Sequence, residues 1–175
     1  SYYNWNLIQN GQTTNSSSYI TSKLTDLAIE WAAAQTQPWF LWLAYNAPHA
    51  PFHLPPSELH SQGALPNDSS SINANPLPYY MAMIEALDSE MGRLLNSFSK
   101  EILDNTLIIF IGDSHMFGQG VDDFNTIPNL VCKKIESTCI NLSVPGTGTI
   151  YQSHLLEAFV NQLNNKFTDV KVIHL

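Results

Sequence analysis

Thr106-Leu107-Ile108-Ile109-Phe110-Ile111-Gly112-Asp113-Ser114-His115 is the stretch on which the fold turns. From Thr106 to Ile111 every residue is β-branched, aliphatic or aromatic, the pattern of a strand covered on both faces. Asp104-Asn105 makes the turn before it, and Gly112-Asp113 ends it. Just upstream, Tyr80, Met83, Ile84, Leu87, Met91, Leu94 and Leu95 recur at helical spacing, which predicts an amphipathic helix over Tyr79–Phe98. Further upstream, Ile20, Leu24, Leu27, Ala28, Trp31 and Ala32 predict a second helix over Tyr19–Ala34, with Ser18 as its N-cap. The apolar run Trp39–Tyr45 follows Pro38 and reads as another buried strand.

Downstream the alternation continues. Ile127–Ile135 reads as a helix with Pro128 near its start, and Cys139–Val144 as a strand. The turn Pro145-Gly146-Thr147-Gly148 follows. Tyr151–Phe167 reads as a helix with Leu155, Leu156, Phe159, Val160 and Leu163 facing inward, and Val170–Leu175 as a last strand. Such alternation predicts an α/β fold, a mostly parallel sheet of about four strands flanked by helices. Two segments stand outside it. Residues 1–18 are polar and read as loop, with one short strand near Tyr2–Trp5. Residues 46–77 hold six prolines and three histidines and read as one long loop without a helix.

Composition limits the function. The chain has 175 residues, 44% apolar and 13% charged, which is globular rather than disordered. Its apolar runs fall well short of the ~20 residues of a membrane span. The net charge is −8, and residues 1–113 carry −7 of it, so no basic stripe exists for nucleic acid. Cys132 and Cys139 suggest neither a disulfide scaffold nor a CxxC metal site. The chain opens on Ser1 without a signal-like stretch and stops inside the predicted last strand, so it reads as a fragment.

In open α/β sheets the site lies at the carboxyl ends of the strands. Three such ends carry usable residues: Asn46-Ala47-Pro48-His49, Gly112-Asp113-Ser114-His115 and Val144-Pro145-Gly146-Thr147-Gly148. Ser114 can present a hydroxyl at the sheet edge while its N–H faces an oxyanion, although Asp113-Ser114 can equally cap the next segment. Asp113 is chemically suited to a hard cation such as Ca2+. His49 can contact substrate or move a proton. His49, His53 and His60 lack recognisable zinc spacing. Gly146 and Gly148 make a turn whose N–H groups can face an anion.

Residues 1 to about 113 resemble the sulfatase family of the alkaline phosphatase superfamily. The resemblance is carried by Thr25–Trp31, Pro38–Phe52, Tyr80–Asp88 with Gly92–Leu95, and Asp104–Asp113. It implies hydrolysis of a sulfate ester with a formylglycine nucleophile, a bound Ca2+, and His and Lys side chains on the sulfate. His49 corresponds to the sulfate-contacting histidine of the family's PHxP stretch, and Asp113 to the aspartate of its GDNG metal motif. Ser114 stands where that motif has Asn. The formylglycine motif is not among these residues; the family's order places it, and the early metal-binding aspartates, upstream of residue 1.

From Thr106 onward the chain also resembles the SGNH or GDSL-type hydrolases, on Ile111–Asp123, Thr126–Leu130 and Asn141–Thr149. That resemblance implies Ser114 as nucleophile and Gly146 as an oxyanion donor, and His49 is the histidine available as base. The family's Gly-x-Asn-Asp block and its catalytic Asp and His are missing. The two resemblances overlap on residues 106–113. They divide the chain into a sulfatase-like part, 1–113, and an SGNH-like part, 106–175, as in a chimera or fragment. Three functions are therefore expected: a Ca2+-dependent sulfatase-type fragment, an SGNH esterase, or a chain with no working site. The implied substrate is a small-molecule or carbohydrate ester, and the implied address periplasmic or extracellular.

Overall fold

A computed structural model describes residues 1–164. These residues divide into two compact units, 1–97 and 98–164. Among the described residues no helix is long and apolar enough to cross a membrane.

The first unit opens with a hairpin absent from the sequence reading: β1 (Trp5–Gln9) pairs antiparallel with β2 (Gln12–Ser16). Asn10 and Gly11 between them have φ of 51° and 75°, the pair of positive values that a two-residue hairpin turn of type I′ requires. Helix α1 (Ile20–Ala33) follows. Tyr19 rather than Ser18 occupies the N-cap, and no side chain caps the helix. The Ile20 N–H instead donates to the Tyr2 carbonyl at 3.0 Å.

The buried face of α1 is Thr21, Thr25, Ala28 and Ala32, one step round from the larger residues that the periodicity favours. This face is narrow because its side chains are small. Helix α1 packs on the long helix α3 (Leu77–Asn96), whose own buried face is Tyr79, Ala82, Met83, Ala86 and Glu90. Pro78 lies in the first turn of α3, where its missing N–H costs nothing. Polar ties close the pair. The Glu90 carboxylate accepts from Ser22 Oγ at 2.7 Å and lies 2.7 Å from Arg93, and Arg93 also meets Asp26 at 2.8 Å.

Trp39–Tyr45 is not a strand. An apolar run becomes one only when a neighbouring backbone pairs with it, and no ladder forms on it among the described residues. The run is held through side chains: Tyr45 Oη is 2.8 Å from Thr25 Oγ1, and Trp39 meets Trp31 edge to face at 5.8 Å.

The Pro-rich stretch does contain a helix, contrary to expectation. α2 (Ser69–Ala74) fits into the proline-free window between Pro66 and Pro76, and the Asp68 side chain caps it by accepting the Ser71 N–H at 2.9 Å. The hydrogen bonds on Asp68, the Ser70 hydroxyl foremost, lower its pKa to about 2. The rest of the loop is tied to α3. Tyr79 Oη donates to Pro66 O at 2.7 Å, and Glu85 accepts from the Ser61 N–H, Ser61 Oγ and the Gln62 amide. A core of Tyr2, Tyr19, Ala47, Met83 and Ala86, flanked by Ile20, Phe52, Leu59 and Leu87, joins the loop to both helices.

The second unit begins with a short helix, α4 (Lys100–Asp104), and then β3 (Leu107–Phe110), within the predicted strand. β4 (Thr138–Asn141) pairs parallel to β3, with Ile108 opposite Cys139 and Phe110 opposite Asn141. Two further bonds, Leu142 N to Phe110 O and Val144 N to Gly112 O, extend the pairing beyond the strands. Between them lie α5 (Ser114–Phe117) and α6 (Ile127–Ile135). α7 (Thr149–Asn164) buries Leu156 and Val160, as its periodicity predicts.

The described sheet thus has two parallel strands rather than about four. One expected strand is the unpaired Trp39–Tyr45, and the other, Val170–Leu175, lies outside the described residues. The two cysteines pair, contrary to expectation. Cys132 on α6 and Cys139 on β4 form a disulfide, with Cα atoms 5.9 Å apart. Glu136, at φ 53°, ends α6 and turns the chain back so that β4 passes beside it.

Candidate active site

His49 lies in the first unit, exposed, on the turn Asn46-Ala47-Pro48-His49. The His49 N–H closes this turn on Asn46 O at 3.0 Å. Both X–Pro bonds around His49, Ala47-Pro48 and Ala50-Pro51, are cis. The His49 Nδ1 atom is 2.7 Å from Ala50 O. A carbonyl only accepts, so the contact places a proton on Nδ1 and leaves Nε2 as the nitrogen for a ligand. His49 borders a hollow of about 200 Å³ lined also by Ser1, Tyr2, Ile20, Asn46, Ala50 and Pro51.

Beneath the turn is an aromatic cluster that the sequence reading missed. Tyr2 and His53 stack with ring centroids 3.8 Å apart, and Tyr19 and Tyr3 flank them. Tyr2 Oη lies 2.8 Å from both Asn46 O and His49 O. Burial, and then the neighbouring Tyr19, push the Tyr2 phenol up to about 12. Tyr3 and Tyr19 are raised too, chiefly by burial. Burial lowers His53 to about 4, so its ring is neutral at ordinary pH. The local sequence offered no signal for this: Tyr2 sits in a polar stretch, and His53 is one loop histidine among three.

Asp113, Ser114 and Gly146 belong to the second unit. The first two leave the end of β3 and Gly146 follows β4, so the three share one edge of the parallel pair. Ser114 opens α5, which Phe117 N to Asp113 O (2.9 Å) and Gly118 N to Ser114 O (3.2 Å) hold closed. Gly112 must be glycine for space: a Cβ there would lie 2.7 Å from the Met116 Cβ. Beside it Ser143 Oγ is buried without a hydrogen-bond partner among the described residues. Gly146 has φ 75° on an exposed turn. Asn141 Nδ2 donates to Met116 O at 3.3 Å, tying α5 to the end of β4.

A Ca2+ ion takes six to eight oxygen ligands. The exposed Asp113 carboxylate at a strand end fits as one. Among the described residues no group of three or more His, Cys, Asp or Glu stands where it could complete the set. Cys132 and Cys139 are bonded to each other, so neither offers a free thiol.

Comparison with known proteins bears on the whole of the first unit and on the end of β3. The sulfatase family model matches residues 1–123, running through both His49 and Asp113. The chain is 32% identical over 118 residues to an uncharacterized sulfatase, YdeN, of Escherichia coli (strain K12). That match covers 65% of this chain and spans 20% of the length of the relative. No solved structure matches the chain. A family match over well more than half of these residues settles the affiliation: the chain belongs to the sulfatase family.

Proposed function

We propose that this chain forms part of a hydrolase of sulfate esters, with His49 as a sulfate contact and Asp113 as one oxygen ligand of a Ca2+ ion. The observation that carries the reading is the family match through both residues. The geometry of His49 supports it. With Nδ1–H engaged by Ala50 O, a protonated His49 donates from Nε2 to a sulfate oxygen, and a neutral one accepts a proton there. Bound Ca2+ would supply positive charge against the developing oxyanion. The mostly parallel sheet of about four strands belongs to the same reading, with β3 and β4 as two of its strands. The substrate class is a small-molecule or carbohydrate sulfate ester.

The Cys132–Cys139 bond supports a periplasmic or extracellular address, because such bonds persist in oxidising compartments.

The test has two parts. An aryl sulfate assay on this chain alone is expected to give weak or no turnover, since no formylglycine motif lies within it. Ca2+-dependent turnover by the isolated chain would overturn the assignment of the nucleophile to residues beyond these. Ca2+ is expected to shift the melting temperature of this chain little, because Asp113 is one ligand of the six to eight that the ion takes and no cluster among the described residues completes the set; a large rise that Asp113→Asn leaves intact would remove Asp113 from the metal.

A second reading is favoured by one observation: Ser114 and Gly146 follow neighbouring parallel strands on one sheet edge. That placement suits an SGNH-type esterase in which Ser114 attacks and the N–H groups of Ser114 and Gly146 hold the oxyanion. A fluorophosphonate probe should then label the chain and fail on Ser114→Ala. No labelling of a folded chain would end this reading.

A further inference from the structure

We propose that Tyr2 is a positioning residue, whose phenol clamps the turn bearing His49 and so fixes the imidazole nitrogen that His49 offers to an oxyanion. The inference rests on reading His49 as the sulfate contact. Tyr2 Oη lies 2.8 Å from Asn46 O and 2.8 Å from His49 O, the two ends of the turn. One phenolic proton is thus shared between two carbonyls across a sequence gap of more than forty residues. Asn46 O also accepts the His49 N–H, so the phenol and the turn reinforce each other at one oxygen.

Tyr2 is itself firmly seated. It is 8% exposed, its ring stacks on His53 at 3.8 Å, and its carbonyl accepts the first N–H of α1. The phenol stays a donor throughout the useful pH range, because burial holds it up to about 12. With the turn fixed, the His49 ring stays within 2.7 Å of Ala50 O, which keeps its proton on Nδ1. Without the phenol the carbonyl of His49 loses its side-chain partner, the turn loosens, and the ring samples both tautomers. Tyr2 and His49 also line the same hollow, so the clamp forms part of the wall that a bound anion would meet.

The experiment is Tyr2→Phe in the full chain, which keeps the ring and its stack and removes only the hydroxyl. Long-range 1H–15N spectra read the His49 tautomer, and circular dichroism reads the fold. The expected result is a folded variant in which His49 shifts from the Nδ1–H form toward a mixture. Affinity for inorganic sulfate, followed at the His49 ring, should fall about tenfold, the scale of one lost hydrogen bond. Tyr3→Phe, whose hydroxyl goes to Leu54 O, should leave His49 unchanged. An unchanged His49 tautomer in folded Tyr2→Phe overturns the clamp.

If Tyr2→Phe does not fold, the wild-type chain decides. A Tyr2 hydroxyl proton visible as a slowly exchanging resonance, with contacts to Asn46 and His49, supports the clamp. A hydroxyl in fast exchange with water overturns it. A wild-type His49 that ignores sulfate overturns the sulfate reading alone, because the tautomer comparison decides the clamp independently.

Discussion

Acid should weaken the first unit through His53 before it reaches Asp68 and Glu85. The ring is sandwiched against Tyr2, faces Tyr19 Oη at 3.3 Å, and has Tyr3 at its edge. Burial lowers its pKa from 6.5 to about 4. Below pH 6.5 the unfolded chain therefore binds a proton that the folded chain refuses until about pH 4. Stability is full above the unfolded value and is lost as pH falls across that window. The gap sets a ceiling of about 3 kcal/mol at 1.36 kcal/mol per tenfold step. Solvent still reaches part of the ring, and screening reduces the loss to about 1–2 kcal/mol.

Asp68 and Glu85, both held below their ordinary values by hydrogen bonds, give up their share only at lower pH, so the windows separate. All four tryptophans, Trp5, Trp31, Trp39 and Trp42, lie in the first unit, so their fluorescence during urea unfolding reports that unit alone. Unfolding curves at about pH 7 and pH 4.5 should differ by the stated amount in the wild type. They should nearly coincide in His53→Phe, which keeps an aromatic ring against Tyr2. An NMR titration placing His53 at or above 6.5, or a His53→Phe variant with the full pH slope, would refute the reasoning.

Three further outcomes follow from the packing. Glu90→Ala should cost about 1–2 kcal/mol by the same fluorescence assay, because it leaves the Ser22 hydroxyl without its acceptor and takes from Arg93 one of its two carboxylate partners, Asp26 remaining. A loss below half a kcal/mol would show the network to be ornamental. Gly112→Ala should destabilise the second unit by about 1–3 kcal/mol, since the new methyl must displace Met116, with far-ultraviolet circular dichroism as the check. Alkylation of the unfolded, unreduced chain should add no label at Cys132 or Cys139, and reduction should cost about 2 kcal/mol for so short a loop; two labelled thiols without reductant would contradict the pairing.

What could be read in the chain beforehand follows from where each kind of information lives. α1, α3, α6, α7 and β3 were legible because periodicity and continuous apolar runs are local. The hairpin was missed although Asn10-Gly11 is a strong turn signal, because Gln12–Ser16 is entirely polar and, but for Ser16, exposed, and gives no apolar alternation to read. α2 was missed because the proline count averaged over the long loop hid a proline-free window with Asp68 at its cap. Trp39–Tyr45 failed for the opposite reason: its hydropathy is that of a strand, but pairing is a property of two segments, and one sequence run does not contain its partner.

The same distinction governs the site. His49, Asp113, Ser114 and Gly146 could be chosen because residues just past predicted strands are local features. Tyr2 and His53 could not, since their importance lies in a stacking contact between residues far apart in the chain. Yet Tyr2 also holds, through its hydroxyl, the turn that carries His49. A histidine on a free turn presents either nitrogen; one whose turn is pinned at both carbonyls and whose Nδ1 meets Ala50 O presents Nε2. On the proposed reading of His49 as a sulfate contact, the nitrogen that meets the anion is selected by side chains that carry no motif, and a family match that runs through His49 leaves untouched the contacts that set its tautomer.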